Sequence, residues 1–222
     1  MATTWAPDFL EMLEEAYEQA GLEMRTGHDV KTGIRTFNLL MAEWANKGLN
    51  LWSLDHETIA LSEGTGRYGL PTDTIDIIEH SIREGSGTTQ TDTKMERISV
   101  SQYAQISSKN LEGRPTRVFV ERLVDRPYAN VWPVPDQAYT MSYWRLRRSG
   151  DAGLHSGDTR PELDLPHRFW PALAAGMAYR LCMKKGGPER MPMLKAEYVE
   201  LFNEAADEDR DRSSFFVSPY VG

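Results

Sequence analysis

Apolar positions recur at helical spacing near both ends of the chain and alternate singly in its middle. Over 8–20, Phe9, Leu13, Ala16, Tyr17 and Ala20 share one face, acidic residues fill the other, and Gly21 supplies a stop. Asp8, Glu11 and Glu14 suit the positive end of that helix. A second helix is predicted over 29–47, with Val30, Ile34, Phe37, Leu40, Met41 and Trp44 as its apolar stripe and Gly48 beyond its end. Helical spacing returns with Phe169, Leu173, Met177 and Leu181, closed by Lys184-Lys185-Gly186-Gly187. A fourth helix follows Pro192, with Leu194, Tyr198, Leu201, Phe202 and Ala205 inward.

Between these pairs, β-branched and aromatic runs are cut by Gly, Pro, Asp and Asn, which predicts strands near 57–61, 75–83, 94–98, 115–123, 129–134 and 139–148. Val118/Val120 and Tyr139/Met141/Tyr143 carry the clearest period of two. Residues 101–106 read as a short helix, and Pro133-Val134-Pro135-Asp136 ends one strand and turns the chain into the next. Residues 149–166, rich in Gly, Asp, Ser and Pro, read as a loop. Neither helix pair can bury its stripe alone, so the simplest packing joins all four. The fold expected is α+β: a four-helix bundle built from the two chain ends, a β-rich insertion between them, and an extended C-terminal tail. The divisions are 1–50 and 167–208 for the bundle helices, 51–148 for the insertion, 149–166 for the loop and 209–222 for the tail.

Composition narrows the function. The 222 residues fit one large domain or two small ones, and 40% hydrophobic with 26% charged residues is globular composition. No apolar run approaches the roughly 18 residues of a membrane span, and the N-terminus lacks the basic and apolar regions of a secretory signal. A single Cys182, set among Met177, Leu181 and Met183, leaves no internal disulfide and reads as a small buried hydrophobe, so synthesis and folding in a cytoplasm are expected. A net charge of -8 argues against wrapping nucleic acid through broad phosphate neutralisation. The one local basic cluster is Arg145, Arg147 and Arg148. Strand alternation puts the first two on one face and Arg148 opposite, and an exposed strand end or protein contact is expected there rather than base readout.

The candidate chemistry is sparse. Gly64-Thr65-Gly66-Arg67-Tyr68-Gly69 matches G-x-G-x-x-G, but a dinucleotide fold needs that motif to open a helix, and Leu70-Pro71 points to a β connection and a hairpin turn. His28, His56, His80, His155 and His167 are scattered without a metal-binding spacing. The run Asp207-Glu208-Asp209-Arg210-Asp211 lacks the Gly and closing Glu of a calcium loop and reads as a solvated helix end. Asp73, Asp76 and Glu79 read as surface carboxylates. Ser-His-Asp geometry stays open, although no G-x-S-x-G elbow is present. No catalytic residue, cofactor or metal ligand is assigned.

Several segments in order carry a likeness: Glu14-Glu15-Ala16-Tyr17-Glu18-Gln19-Ala20-Gly21, Leu39-Leu40-Met41-Ala42-Glu43-Trp44-Ala45-Asn46-Lys47-Gly48-Leu49-Asn50-Leu51-Trp52, Tyr68-Gly69-Leu70-Pro71, Gly113-Arg114-Pro115, Val131-Trp132-Pro133-Val134-Pro135, Tyr143-Trp144-Arg145-Leu146-Arg147-Arg148 and Leu194-Lys195-Ala196-Glu197-Tyr198. Together they resemble the head-to-tail adaptors of short-tailed phages, also called tail tubular protein A or packaged-DNA stabilisation proteins. The likeness runs from about residue 8 to 212, and the order and spacing of the segments carry it, since each alone is only a helix face or a turn. The resemblance implies a non-enzymatic virion protein, made in the host cytoplasm and placed in the tail at the portal vertex. It implies a homo-oligomeric ring, typically dodecameric, that binds the portal protein and the tail nozzle protein and passes DNA without sequence-specific binding. It also implies no cofactor and no membrane. Another phage neck, connector or tail-completion protein is the alternative within this class. A tail-associated hydrolase is the alternative outside it, and a glycosidase would need a carboxylate pair across a cleft that no segment suggests.

The last ten residues hold Phe215, Phe216, Val217 and Tyr220, which are the partner-binding candidates because apolar clusters at a free terminus mark interaction sites. Two readings stay open: the tail folds back onto its own bundle, or it docks in extended form into the portal or a neighbouring subunit. Pro219 favours extension by biasing Ser218 away from helix.

Overall fold

A computed structural model describes residues 5, 7–25, 27–47, 51–85, 87–149 and 163–209. Among them the helices are α1 (Phe9–Gln19), α2 (Gly27–Lys47), α3 (Val100–Gln105), α4 (Trp170–Lys185) and α5 (Met191–Glu208). The strands are β1 (Leu54–Leu61), β2 (Arg67–Gly69), β3 (Thr74–Glu84), β4 (Thr91–Lys94), β5 (Glu96–Arg97), β6 (Arg117–Arg122), β7 (Pro127–Trp132) and β8 (Tyr139–Arg147). The chain divides into two compact units, residues 1–52 with 149–222 and residues 53–148.

In the helical unit, α1 starts where its acids require. Asp8 accepts from the Glu11 N–H at 2.9 Å and Glu11 accepts from the Asp8 N–H at 3.0 Å, a reciprocal capping box that satisfies two free donors. The centre of the unit is α4, whose small residues Ala172, Ala174, Ala175, Gly176 and Ala178 are all buried. That lets neighbours approach closely: a Cβ added at Gly176 would stand 2.9 Å from the Tyr198 ring and 3.0 Å from Leu40. Bulky residues of the surrounding helices fill the rest. The Trp44 ring lies 5.6 Å from Phe169 and 5.1 Å from Phe202, and Trp52 lies 4.5 Å from Phe169. Trp44, on the predicted stripe, is 1% exposed, and its Nε1–H donates to the Tyr198 hydroxyl at 2.9 Å. Cys182 is a buried free thiol, as its apolar neighbours implied.

In the β unit, one sheet has the order β1-β8-β3-β4 and is antiparallel throughout. The other has the order β2-β7-β6-β5, with β5 parallel to β6. A single cluster including Leu61, Ile77, Ile82, Met141 and Tyr143 from the first sheet and Tyr68, Val118, Val120, Ala129 and Val131 from the second fills the unit. Two inner faces sharing one core make a sandwich.

The expectation of a four-helix bundle from the chain ends is corrected by these findings. The architecture is α+β with five helices and two four-stranded sheets among the described residues, and its strands are interleaved. A bundle needs each helix to bring one stripe to a shared seam, whereas α4 is buried on nearly every side and α1, α2 and α5 pack chiefly against it. The fifth helix, α3, lies in the β region. There the chain visits the first sheet, then the second, returns, crosses again and returns to place β8 beside β1. Alternation reveals that a residue is in a strand but not which sheet the strand joins. The strand expected at 94–98 is two short strands in different sheets, separated by buried Met95. The extended tail of the expected fold lies outside the described residues.

Candidate functional site

The glycine motif meets geometry of another kind. Gly64 has φ +72°, and Tyr68 closes the turn by donating its hydroxyl to the Thr65 carbonyl at 2.7 Å while accepting from the Ser62 N–H at 2.9 Å. The motif opens strand β2 instead of a helix, so no helix N-terminus meets a phosphate there. The turn is real, but it connects strands of different sheets and so is a crossover, where a hairpin was expected.

The basic cluster is also rearranged. On β8 the inward series Tyr139, Met141 and Tyr143 continues to Arg145, which is 6% exposed. On β1 the matching series runs Leu61, Ile59, Glu57, Asp55. Antiparallel register sets Asp55 opposite Arg145 and Glu57 opposite Tyr143. Arg145 therefore meets Glu57 at 2.9 Å, Asp73 at 2.8 Å and Asp55 at 3.3 Å. Burial works against its charge, but these carboxylates outweigh burial and raise its affinity for the proton. Burial and then Glu57, which accepts the Tyr143 O–H at 3.0 Å, push that hydroxyl well above its ordinary value. The expected exposed strand end is thus, for Arg145, a buried ion cluster that ties β1, β8 and the start of β3 together. Asp73 is part of it rather than a free surface carboxylate, and Arg147 pairs with Asp55 at 3.1 Å. Asp76 is likewise engaged, by Arg97 at 2.7 Å and by Arg122.

On the outer face of the same sheet, His56 Nε2 lies 2.7 Å from Ser142 Oγ. A Ser–His pair is where nucleophilic catalysis begins. Here Arg83 donates to the same oxygen at 3.3 Å and binds Asp92 through both carboxylate oxygens, at 2.9 and 2.8 Å. Those bonds hold the Asp92 carboxyl below its usual range. Among the described residues no carboxylate hydrogen-bonds to the His56 ring. Beside it the Trp144 ring is 48% exposed, 5.0 Å from the imidazole. His80, on the inner face, is buried with neither ring nitrogen hydrogen-bonded among the described residues, and burial, then Arg97, lowers its pKa.

In the helical unit, Tyr198 also donates to Glu43 at 3.2 Å, and Glu43 pairs with Arg180. Burial first, then the Glu43 charge, push the Tyr198 hydroxyl up to about 12. Of the acidic run expected to be a solvated helix end, Asp207 and Glu208 are exposed, whereas Asp209 is 2% exposed and pairs with Arg168, and residues 210–211 lie outside the described residues. Burying the carboxylate is tolerable because the guanidinium accompanies it. Close by, α1 and the start of α4 line a mainly apolar groove with Trp5, Pro7, Met12, Trp170, Pro171 and Ala174, together with Glu11, Glu15, Gln19 and His167. The partner-binding candidates Phe215, Phe216, Val217 and Tyr220 lie outside the described residues. Among the described residues no group of three or more His, Cys, Asp or Glu could hold a metal ion, and no helix is long and apolar enough to cross a membrane.

A family model described as SU10 adaptor protein matches residues 7–220. No curated protein matches the chain.

Proposed function

Since the chain belongs to the SU10 adaptor protein family, a family of phage adaptors, we propose that it is a non-enzymatic head-to-tail adaptor of the virion. Copies form a ring, of dodecameric type, that sits between the portal protein and the tail nozzle protein and leaves a channel for DNA. The family match over nearly the whole chain carries this reading. Several polar clusters support it, because they pair charge with charge: Arg145 with three carboxylates, Arg83 with Asp92, Arg180 with Glu43. The net charge of -8 suits a channel whose acidic wall lets DNA slide without sticking.

Ring closure from identical copies needs a heterologous contact, in which one patch meets a different patch on the next copy. The purified protein is expected to be mostly monomeric and to assemble on the portal, with Phe215, Phe216, Val217 and Tyr220 contributing to the docking contact. Sedimentation of the protein alone and with portal tests this. A ring only in the mixture supports it, and a stable ring at micromolar concentration without portal contradicts the portal-dependent step. Cryo-EM of the assembled vertex tests the channel, and a lumen lined mainly by Lys and Arg would overturn the acidic wall.

A further inference from the structure

The groove between α1 and the start of α4 is lined mainly by apolar side chains, together with the acids Glu11 and Glu15. Trp5 and Trp170 meet edge to face at 5.5 Å, Met12 and Pro171 extend the surface, and Glu11 and Glu15 stand one helical turn apart on α1. Gln19, one turn further, spends its amide N–H on Glu15 at 2.9 Å, while its Oε1 is buried and accepts no hydrogen bond among the described residues. A buried acceptor without a donor is costly, which asks for an occupant that brings an N–H as well as apolar side chains.

The chain supplies such a segment and starts it in the right place. The last described residue, Asp209, pairs with Arg168, which is next to His167 on the groove margin and two residues from Trp170. The thirteen residues 210–222 follow. From Asp209 to Phe215 an extended chain spans at most about 20 Å, so the apolar stretch begins within reach of its own groove. The segment opens with Arg210-Asp211-Arg212, net positive and so opposite in charge to Glu11 and Glu15, and continues with Phe215, Phe216, Val217, Tyr220 and Val221. Pro219 biases Ser218 away from helix, and extended backbone carries N–H groups that can donate.

We propose that in the free subunit the C-terminal segment 215–221 occupies the α1/α4 groove of its own chain. Docking on a partner then exchanges one apolar surface for another, so the tail need not stand in water while the subunit waits. Whichever partner the tail meets later, the resting contact stands on the groove and on the point where the tail leaves α5.

Cysteine crosslinking in the full-length protein tests this, because the native Cys182 is buried and does not compete. Glu15→Cys is paired with Phe216→Cys, and the control pairs Phe216→Cys with Val199→Cys, an exposed α5 position away from the groove. Under mild oxidation the groove pair is expected to close an intramolecular disulfide about tenfold faster than the control, as a held segment raises the local thiol concentration above that of a loose tether. Adding Phe215→Ser and Tyr220→Ser is expected to remove most of that advantage. Equal rates for groove and control pairs, disulfides only between two chains, or a rate unmoved by the two serines would each overturn the proposal.

Discussion

The two units hold their polar groups in opposite ways. In the helical unit an apolar centre, packed around α4, admits few polar atoms, such as the Trp44 N–H on the Tyr198 hydroxyl and the Tyr198 O–H on Glu43, and its buried carboxylates, Asp29 with Lys185 and Asp209 with Arg168, stand at helix ends. In the β unit charge is part of the interior, because the inward face of β1 changes from Leu61 and Ile59 to Glu57 and Asp55 within one strand, and Arg145 is buried to meet them. A helix built of alanines creates a shape that only large rings fill, so the first unit depends on volume. Strands whose inner faces run out into carboxylates depend on charge compensation. The lesson is that removing atoms should harm the first unit most, and removing or adding charge the second.

The largest expected effect tests the volume side. Trp44→Ala should cost about 3–5 kcal/mol, since it removes a buried ring and the hydrogen bond it donates to the Tyr198 hydroxyl. An unchanged urea midpoint would break the comparison at once. Next, Arg145→Met keeps much of the volume but leaves Asp55, Glu57 and Asp73 facing one another. Breaking a buried pair costs roughly 3–5 kcal/mol, and the partial exposure of these carboxylates brings the expectation down to about 2 kcal/mol. A wild-type midpoint would mean that the charge is not structural.

A smaller effect comes from His80. Its folded pKa lies below the ordinary 6.5, so between those two values the unfolded chain binds more protons and stability falls as the pH drops. Its contribution is therefore present above about pH 6.5 and is lost on acidification below it. The charged groups around it include Arg97, Glu79 and Lys94. Melting temperature should decline from pH 7 to pH 5 less steeply in His80→Leu than in the parent, and parallel curves would refute the assignment. The smallest change is Asp8→Ala, which removes the α1 cap at a cost of about 1 kcal/mol. Thermal melts with and without the substitution would show it, and a loss as large as that of Trp44→Ala would mean that Asp8 does more than cap.

Helix positions were legible because caps and stripes are local: Asp8 with Glu11, and the face carrying Phe37, Leu40, Met41 and Trp44, declare themselves within a few residues. How those helices pack was not legible. Pairing stripes suggested a bundle, and the feature that decides otherwise is the small-residue run 172–178, whose burial on all sides is a tertiary fact. Strands β1, β3, β6, β7 and β8 were visible as β-branched and aromatic runs, but β4 and β5 were merged into one segment and β2 has three residues, too few to show a period. The buried role of Arg145 did leave a signal, since the alternation from Tyr139 through Tyr143 continues to it, and β1 offers acids in the same phase. The pairing of His56 with Ser142, and of Arg168 with Asp209, joins residues far apart in sequence and had no local trace. The apolar tail was visible as composition alone.

Strand β1 hydrogen-bonds to β8 along its whole length, from Leu54 opposite Leu146 to Leu61 opposite Tyr139. On the ribosome, then, the first strand is made long before its neighbour exists, and pairings between distant segments are slow to form. The early helices are in the same position, since α1 and α2 await α4, which emerges later still. For most of its synthesis the nascent chain holds an unpaired strand and two helices with bare apolar faces, the condition in which chains stick to one another. Such a chain would therefore accumulate best where translation is unhurried or a holdase shields about the first hundred and fifty residues.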